Sequence, residues 1–193
     1  MSLMPCFDAN QAQAEGIIVG RLLAGYGELE VQLCACRIAV EGIVDLPIRE
    51  LFSIRGAEKR LSIAKAALRS DYARAGLIAD LLQALADLDW CRQIRNQYSH
   101  CQWYWTSTEG LCFVNLEELA KQPTTILSVT GNRHPIGLPL LEAQEAFFWY
   151  VKECLIYLET AYRDWDRQQG VAPGPAIFLY PKPRVVSRPS AHN

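Results

Sequence analysis

The chain has 193 residues, 50% of them apolar and 21% charged, and its formal net charge is −2. That composition excludes a disordered chain, and the length suits one domain better than two. No apolar run approaches the roughly 18 residues of a membrane span, since Arg21 interrupts the best candidate at residues 16–25.

Residues 1–5 carry neither a basic n-region nor an apolar core, so no signal peptide is expected and the cytoplasm is the expected compartment. Seven cysteines are present, at positions 6, 34, 36, 91, 101, 112 and 154. Their number is odd and no C-x-x-C occurs, so reduced cysteines used as small apolar residues are expected, with neither disulfides nor a zinc site.

In chain order, Ile18, Leu22, Tyr26, Leu29, Leu33, Cys36 and Val40 recur every three or four residues. Residues 11–41 therefore read as one helix, with Gly25 and Gly27 as weak points. Asp45-Leu46-Pro47 is expected to break the chain. A second helical pattern covers residues 48–69, and a third runs from near Gly76 to about His100. The period then changes. Residues 102–108 and 111–116 read as strands around a Glu109-Gly110 turn, residues 124–130 as a third strand, and the Gly- and Pro-bearing stretch after them as a loop. Phe147, Val151, Leu155, Leu158, Tyr162 and Trp165 mark the last helix, with Pro139 in its first turn and Gly170 as its stop. The expected fold is mainly α. It is a four-helix bundle with a small antiparallel β insertion (about residues 102–138) between the third and last long helices. Residues 1–169 form one domain, followed by a Pro-rich basic tail at 170–193. That tail holds five of the ten prolines, three basic residues and no acid. It is expected to be extended, either as a loosely packed terminus or as an arm reaching a partner subunit or an anionic ligand.

The third helix changes character along its length. At about 100° per residue, Arg92, Asn96, Ser99 and His100 continue the direction set by Ile78, Leu81, Leu82, Leu85 and Leu88. The stripe keeps its direction and turns polar. Trp90, Cys91, Ile94, Tyr98 and Cys101 gather on the opposite side and need cover, from the β insertion or from a second subunit. A polar stripe on a core face is costly unless its groups are paired. Either the helix leaves the bundle there, or these groups line a cleft.

The stretch Arg95-Asn96-Gln97-Tyr98-Ser99-His100 resembles the R-N-x-x-x-H signature of the HEPN superfamily (higher eukaryotes and prokaryotes nucleotide-binding), whose members are helical bundles. The resemblance is specific over six residues, late in a long helix. In catalytic members the motif serves metal-independent RNA cleavage. Carried over, it implies His100 as the acid/base, Arg95 as the phosphate clamp and Asn96 as the positioner. The chemistry is coherent, because RNA supplies its own 2′-OH nucleophile and an imidazole can move protons at neutral pH. A guanidinium can grip the phosphate and offset the charge of the phosphorane. Arg95 and His100 stand about 140° apart on one helix, and the family's answer is a homodimer in which two motifs meet. Arg92 and Ser99 are added as weaker substrate-binding candidates. The resemblance further implies an RNA substrate, a toxin or defence role and a neutralising partner protein. In one toxin subset a tyrosine follows the histidine by two residues, and Gln102 stands there instead.

Some HEPN members have no cleavage activity, so the alternative is a regulatory or interaction protein that dimerises through the motif helix. A further alternative is an unrelated helical protein with an accidental match. Trp103, Tyr104 and Trp105 could stack on bases, but hairpin packing is the preferred reading. Glu15, Glu28 and Glu30 are candidate partners for Arg92 or Arg95. Arg133-His134 reads as part of a turn. No metal site, no cofactor and no membrane contact are expected, and no P-loop, G-x-G-x-x-G, H-E-x-x-H or G-x-S-x-G occurs.

Overall fold

The computed structural model describes residues 11–126, 128–169 and 180–190. The three- and four-residue spacing of Ile18, Leu22, Tyr26, Leu29, Leu33 and Cys36 produces helix α1 (Gln13–Glu41), and these side chains are its buried face. Gly25 and Gly27 do not interrupt it. Helix α2 (Asp45–Phe52) begins where a break was expected. Pro47 sits in its first turn, where a missing N–H leaves no helical bond unmade. The pattern expected as one helix over residues 48–69 is two. Gly56 adopts a left-handed φ of 92° and ends the turn after α2, and α3 (Ala57–Arg74) starts behind it. Gly76, at φ 73°, closes α3 in a Schellman-type turn, with the Leu77 N–H donating to the Tyr72 carbonyl at 2.8 Å. Helix α4 (Ile78–Ser99) follows.

Beyond His100 the aromatic and β-branched sequence pairs as β1 (Cys101–Thr106) and β2 (Gly110–Asn115), antiparallel, with Trp103 opposite Phe113. A short helix α5 (Leu116–Ala120) comes next, and the third strand β3 is only His134–Pro135, paired with β2. Residues 124–130 are therefore not the third strand, although Leu127 lies outside the described residues. Around them the Gly131 N–H donates to the Ser128 hydroxyl and the Asn132 amide to the Ser128 carbonyl. Such local bonds compete with a ladder, and the chain forms a single 3-10 turn over Thr130–Asn132. Helix α6 (Leu138–Gln168) completes the frame, with Pro139 in its first turn as expected. Its expected stop at Gly170 lies outside the described residues, as do residues 1–5, Cys6 and the tail's 170–179 and 191–193.

The four-helix bundle with a small antiparallel sheet between α4 and α6 is thus present. Helix α1 packs on α3, α4 and α6. Arg21 meets Glu145, Glu28 meets Lys152 and Gln32 meets Glu159, so α1 and α6 run in the same direction. Tyr98 meets Gln144 near the start of α6, while Asp80 lies in the field of Tyr157, so α4 runs against α6. The sheet divides its side chains by alternation. Trp103, Leu111 and Phe113 join the main core, whereas Tyr104, Cys112 and Val114 form a second cluster with Leu119 of α5. The hairpin aromatics are thus packing residues. No helix among the described residues is long and apolar enough to cross a membrane.

Candidate functional site

The apolar side of the last three turns of α4 is covered within the chain. Cys91, Ile94 and Tyr98 are essentially inaccessible. Tyr98 lies 5.6 Å from the Trp103 ring and 5.7 Å, edge-on, from Phe113, and its hydroxyl donates to Gln144 Oε1 at 2.7 Å. Trp90 is half-buried against the core. Of the two covers expected from sequence, the β insertion provides it, joined by Gln144 of α6, so the burial of Cys91, Ile94 and Tyr98 makes no demand for a second subunit.

The polar side is placed residue by residue. Arg92 is only 18% exposed and is held by Asp89 of its own helix at 2.7 Å, one turn back. Asp89 raises its pKa against the opposing effect of burial, and the more distant Glu58 adds to this. Arg92 is therefore occupied as a structural ion pair. Arg95 is different. Its guanidinium lies over the Tyr26 ring of α1, 4.8 Å from the centroid, and it has no hydrogen-bond or carboxylate partner among the described residues. The contact is a cation–π one, which engages the charge of the guanidinium and consumes none of its five N–H donors. Tyr26 is itself buried. Desolvation and then Glu30 push its phenol well above the usual range, against Arg95, Arg92 and Arg60, so it stays protonated at neutral pH.

Asn96 is half-buried, and its backbone carbonyl accepts the Ser99 hydroxyl at 3.2 Å. Ser99 is exposed and ties off the helix end. His100 ends α4 with φ −119° and ψ 31°, where the chain turns into β1. Its imidazole is half exposed, with Nε2 3.5 Å from Glu117 Oε1. That carboxylate is set in place by local chemistry. Asn115 Oδ1 accepts the N–H groups of Glu117 and Glu118 and caps α5, while the Leu116 N–H donates to the His100 carbonyl.

One chain therefore brings Asn96, Ser99 and His100 to the end of α4 and sets Arg95 against α1. The two ends of the motif face different neighbours and make no bond with each other. Of the three glutamates, Glu30 pairs bidentately with Arg60 at 2.8 and 2.9 Å and Glu28 pairs with Lys152, so neither holds Arg92 or Arg95. Arg133 is bound by Glu109, and His134 lies in β3 beside Phe113. Sequence reasoning missed Tyr26 and Glu117 as neighbours of the motif. Tyr26 was legible only as a core position, and Glu117 depends on the asparagine cap of a five-residue helix. Cys101, next to His100, is no ready nucleophile, since burial and then Glu118 push its thiol to about 12. All six described cysteines are free. No group of three His, Cys, Asp or Glu side chains that could hold a metal gathers among the described residues. Comparison of the chain with protein-family models, with curated proteins and with solved structures finds no match in any of the three.

Proposed function

We propose that this chain is a HEPN-like, metal-independent RNA endonuclease of the cytoplasm that acts as a two-fold homodimer. The observation that carries this reading is Arg95. Arg92, one turn earlier, is held by a carboxylate, whereas the motif arginine rests on a tyrosine ring and has no hydrogen-bond or carboxylate partner among the described residues. The planar fork of a guanidinium matches two oxygens of a phosphate.

In this chemistry the 2′-oxygen attacks the adjacent phosphorus and the bond to the 5′-oxygen breaks. A His100 imidazole takes the 2′-OH proton, and a protonated imidazole returns one to the departing 5′-oxygen. Arg95 holds the non-bridging oxygens as charge builds on them, and Asn96 orients the phosphate or the ring. The products are a 2′,3′-cyclic phosphate and a 5′-hydroxyl. Two copies of the motif helix supply two imidazoles, one for each proton. They also overcome the divergence of Arg95 and His100 on a single helix. A toxin or defence role with a neutralising partner belongs to the same proposal.

RNA cleavage by wild type, His100→Ala and Arg95→Lys tests it, with sedimentation at micromolar concentration to read the dimer. A dimeric, active wild type and two folded, slower variants are expected, His100→Ala by about 10² or more and Arg95→Lys by about tenfold or more. A folded dimer that cleaves none of the RNA pools offered would leave the non-catalytic regulator as the better reading.

A further inference from the structure

Residues 180–190 lie along the groove between α4 and α6, neither loose nor reaching away from their own chain. Tyr180 donates to Glu153, and Lys182 pairs with Asp80. Further on, Arg188 Nε donates to Asp87 Oδ1 at 2.7 Å with its guanidinium above the Trp90 ring. Trp90 Nε1 donates to the Pro189 carbonyl at 2.9 Å, and Gln144 Nε2 donates to the Ser190 carbonyl at 2.8 Å. The segment thus runs antiparallel to α6, and its two basic side chains Lys182 and Arg188 and the Tyr180 hydroxyl meet Asp80, Asp87 and Glu153 along the groove.

Two features of the groove suit it to a peptide. First, its recognition groups are built in. Asp87 Oδ2 accepts from Gln83 Nε2 of the same helix and Gln144 Oε1 accepts from the Tyr98 hydroxyl, so each is held by the bundle while its other polar atom meets the bound segment. Second, Trp90 and Gln144 read backbone carbonyls, which any sequence offers. Selectivity is left to a cation for Asp87 and to the extended backbone that a following proline imposes on that residue. The resident segment is also lightly held. Val185 is 80% exposed and Val186 41%, and its charged contacts are partly in water, so little apolar burial opposes its departure.

We propose that the α4/α6 groove is a docking site for extended basic peptide segments bearing a proline after an arginine, and that residues 180–190 are its displaceable resident occupant. The partner is a protein segment of that chemistry, which enters as the tail leaves.

The test uses the full chain and a labelled synthetic peptide with the sequence of residues 180–190, read by fluorescence anisotropy. Lys182→Ala with Arg188→Ala frees the groove of its own tail. This double variant is expected to bind the peptide saturably and at least about tenfold more tightly than wild type, where the tail competes at high effective concentration. Adding Asp87→Asn should abolish binding. Should that triple variant lose its helical circular dichroism, Trp90→Phe in its place removes the N–H that reads Pro189 and should weaken binding. Equal binding by wild type and the double variant, no saturable binding by the double variant, or binding that a folded Asp87→Asn or Trp90→Phe chain retains in full would overturn the proposal.

Discussion

Helix α4 finishes its last three turns with two unlike faces. On one, Cys91, Ile94 and Tyr98 are sealed by the sheet and α6, and the Tyr98 hydroxyl has a buried amide for its partner. On the other, Arg95 lies against Tyr26 of α1 with no hydrogen-bond partner among the described residues, and Ser99 and His100 meet solvent. The contrast assigns separate tasks to neighbouring residues of one short sequence. Tyr98, inside the R-N-x-x-x-H stretch, anchors the helix to the β insertion. Arg95, Asn96 and His100 on the same turns lie outside that sealed cluster, and they are the residues the proposed chemistry uses.

Substitutions on the two faces should therefore separate stability from activity. The largest stability effect is expected at Ile94→Ala, which opens a cavity on the sealed face and should cost about 2–5 kcal/mol in chemical denaturation. Tyr98→Phe removes only an oxygen but leaves Gln144 Oε1 without its donor, and about 1–3 kcal/mol is expected by the same measurement. Arg95→Lys should change stability by no more than about 1 kcal/mol, since only a cation–π contact is altered. Its RNA cleavage should nevertheless fall by about tenfold or more, because a lysine keeps the charge and loses the fork. A large loss of stability in Arg95→Lys would place Arg95 with the structural face instead. The sealed face also shields its thiols. Burial holds Cys101 near 12 and Cys91 higher still, so iodoacetamide at pH 8 should modify them at least about 10²-fold more slowly in the native chain than in denaturant, where a free thiol titrates near 8.5.

Most of the frame was legible because it rests on periodicity. The spacing of Ile18 to Cys36 and of Phe147 to Trp165 gives α1 and the buried stripe of α6 directly, and the switch from period 3.6 to period 2 after His100 places the hairpin. The errors fall where local backbone chemistry decides. Gly56 divides what reads as one helix, and Ser128 and Asn132 turn a β-branched stretch into a 3-10 turn, so that a two-residue strand pairs further on. At the site, the wheel of α4 correctly separated Asn96 and His100 from Ile94 and Tyr98. It could not show which arginine would find a carboxylate. Asp89 lies one turn before Arg92, within reach on the same helix, while the partner of Arg95 is a tyrosine 69 positions earlier that only the packing of α1 on α4 brings near. The docked tail was illegible for a similar reason, since its prolines and cations announce an extended basic segment but not the acids that receive it.

The most direct measurement is the chemistry of the RNA ends left by wild type and by His100→Ala in the presence of EDTA. Wild type should cleave without a divalent cation and leave 2′,3′-cyclic phosphate and 5′-hydroxyl ends, and a folded His100→Ala should be slower by about 10² or more. Cleavage that requires magnesium and leaves 5′-phosphates, or a His100→Ala chain as fast as wild type, would contradict an active site built on Arg95, Asn96 and His100.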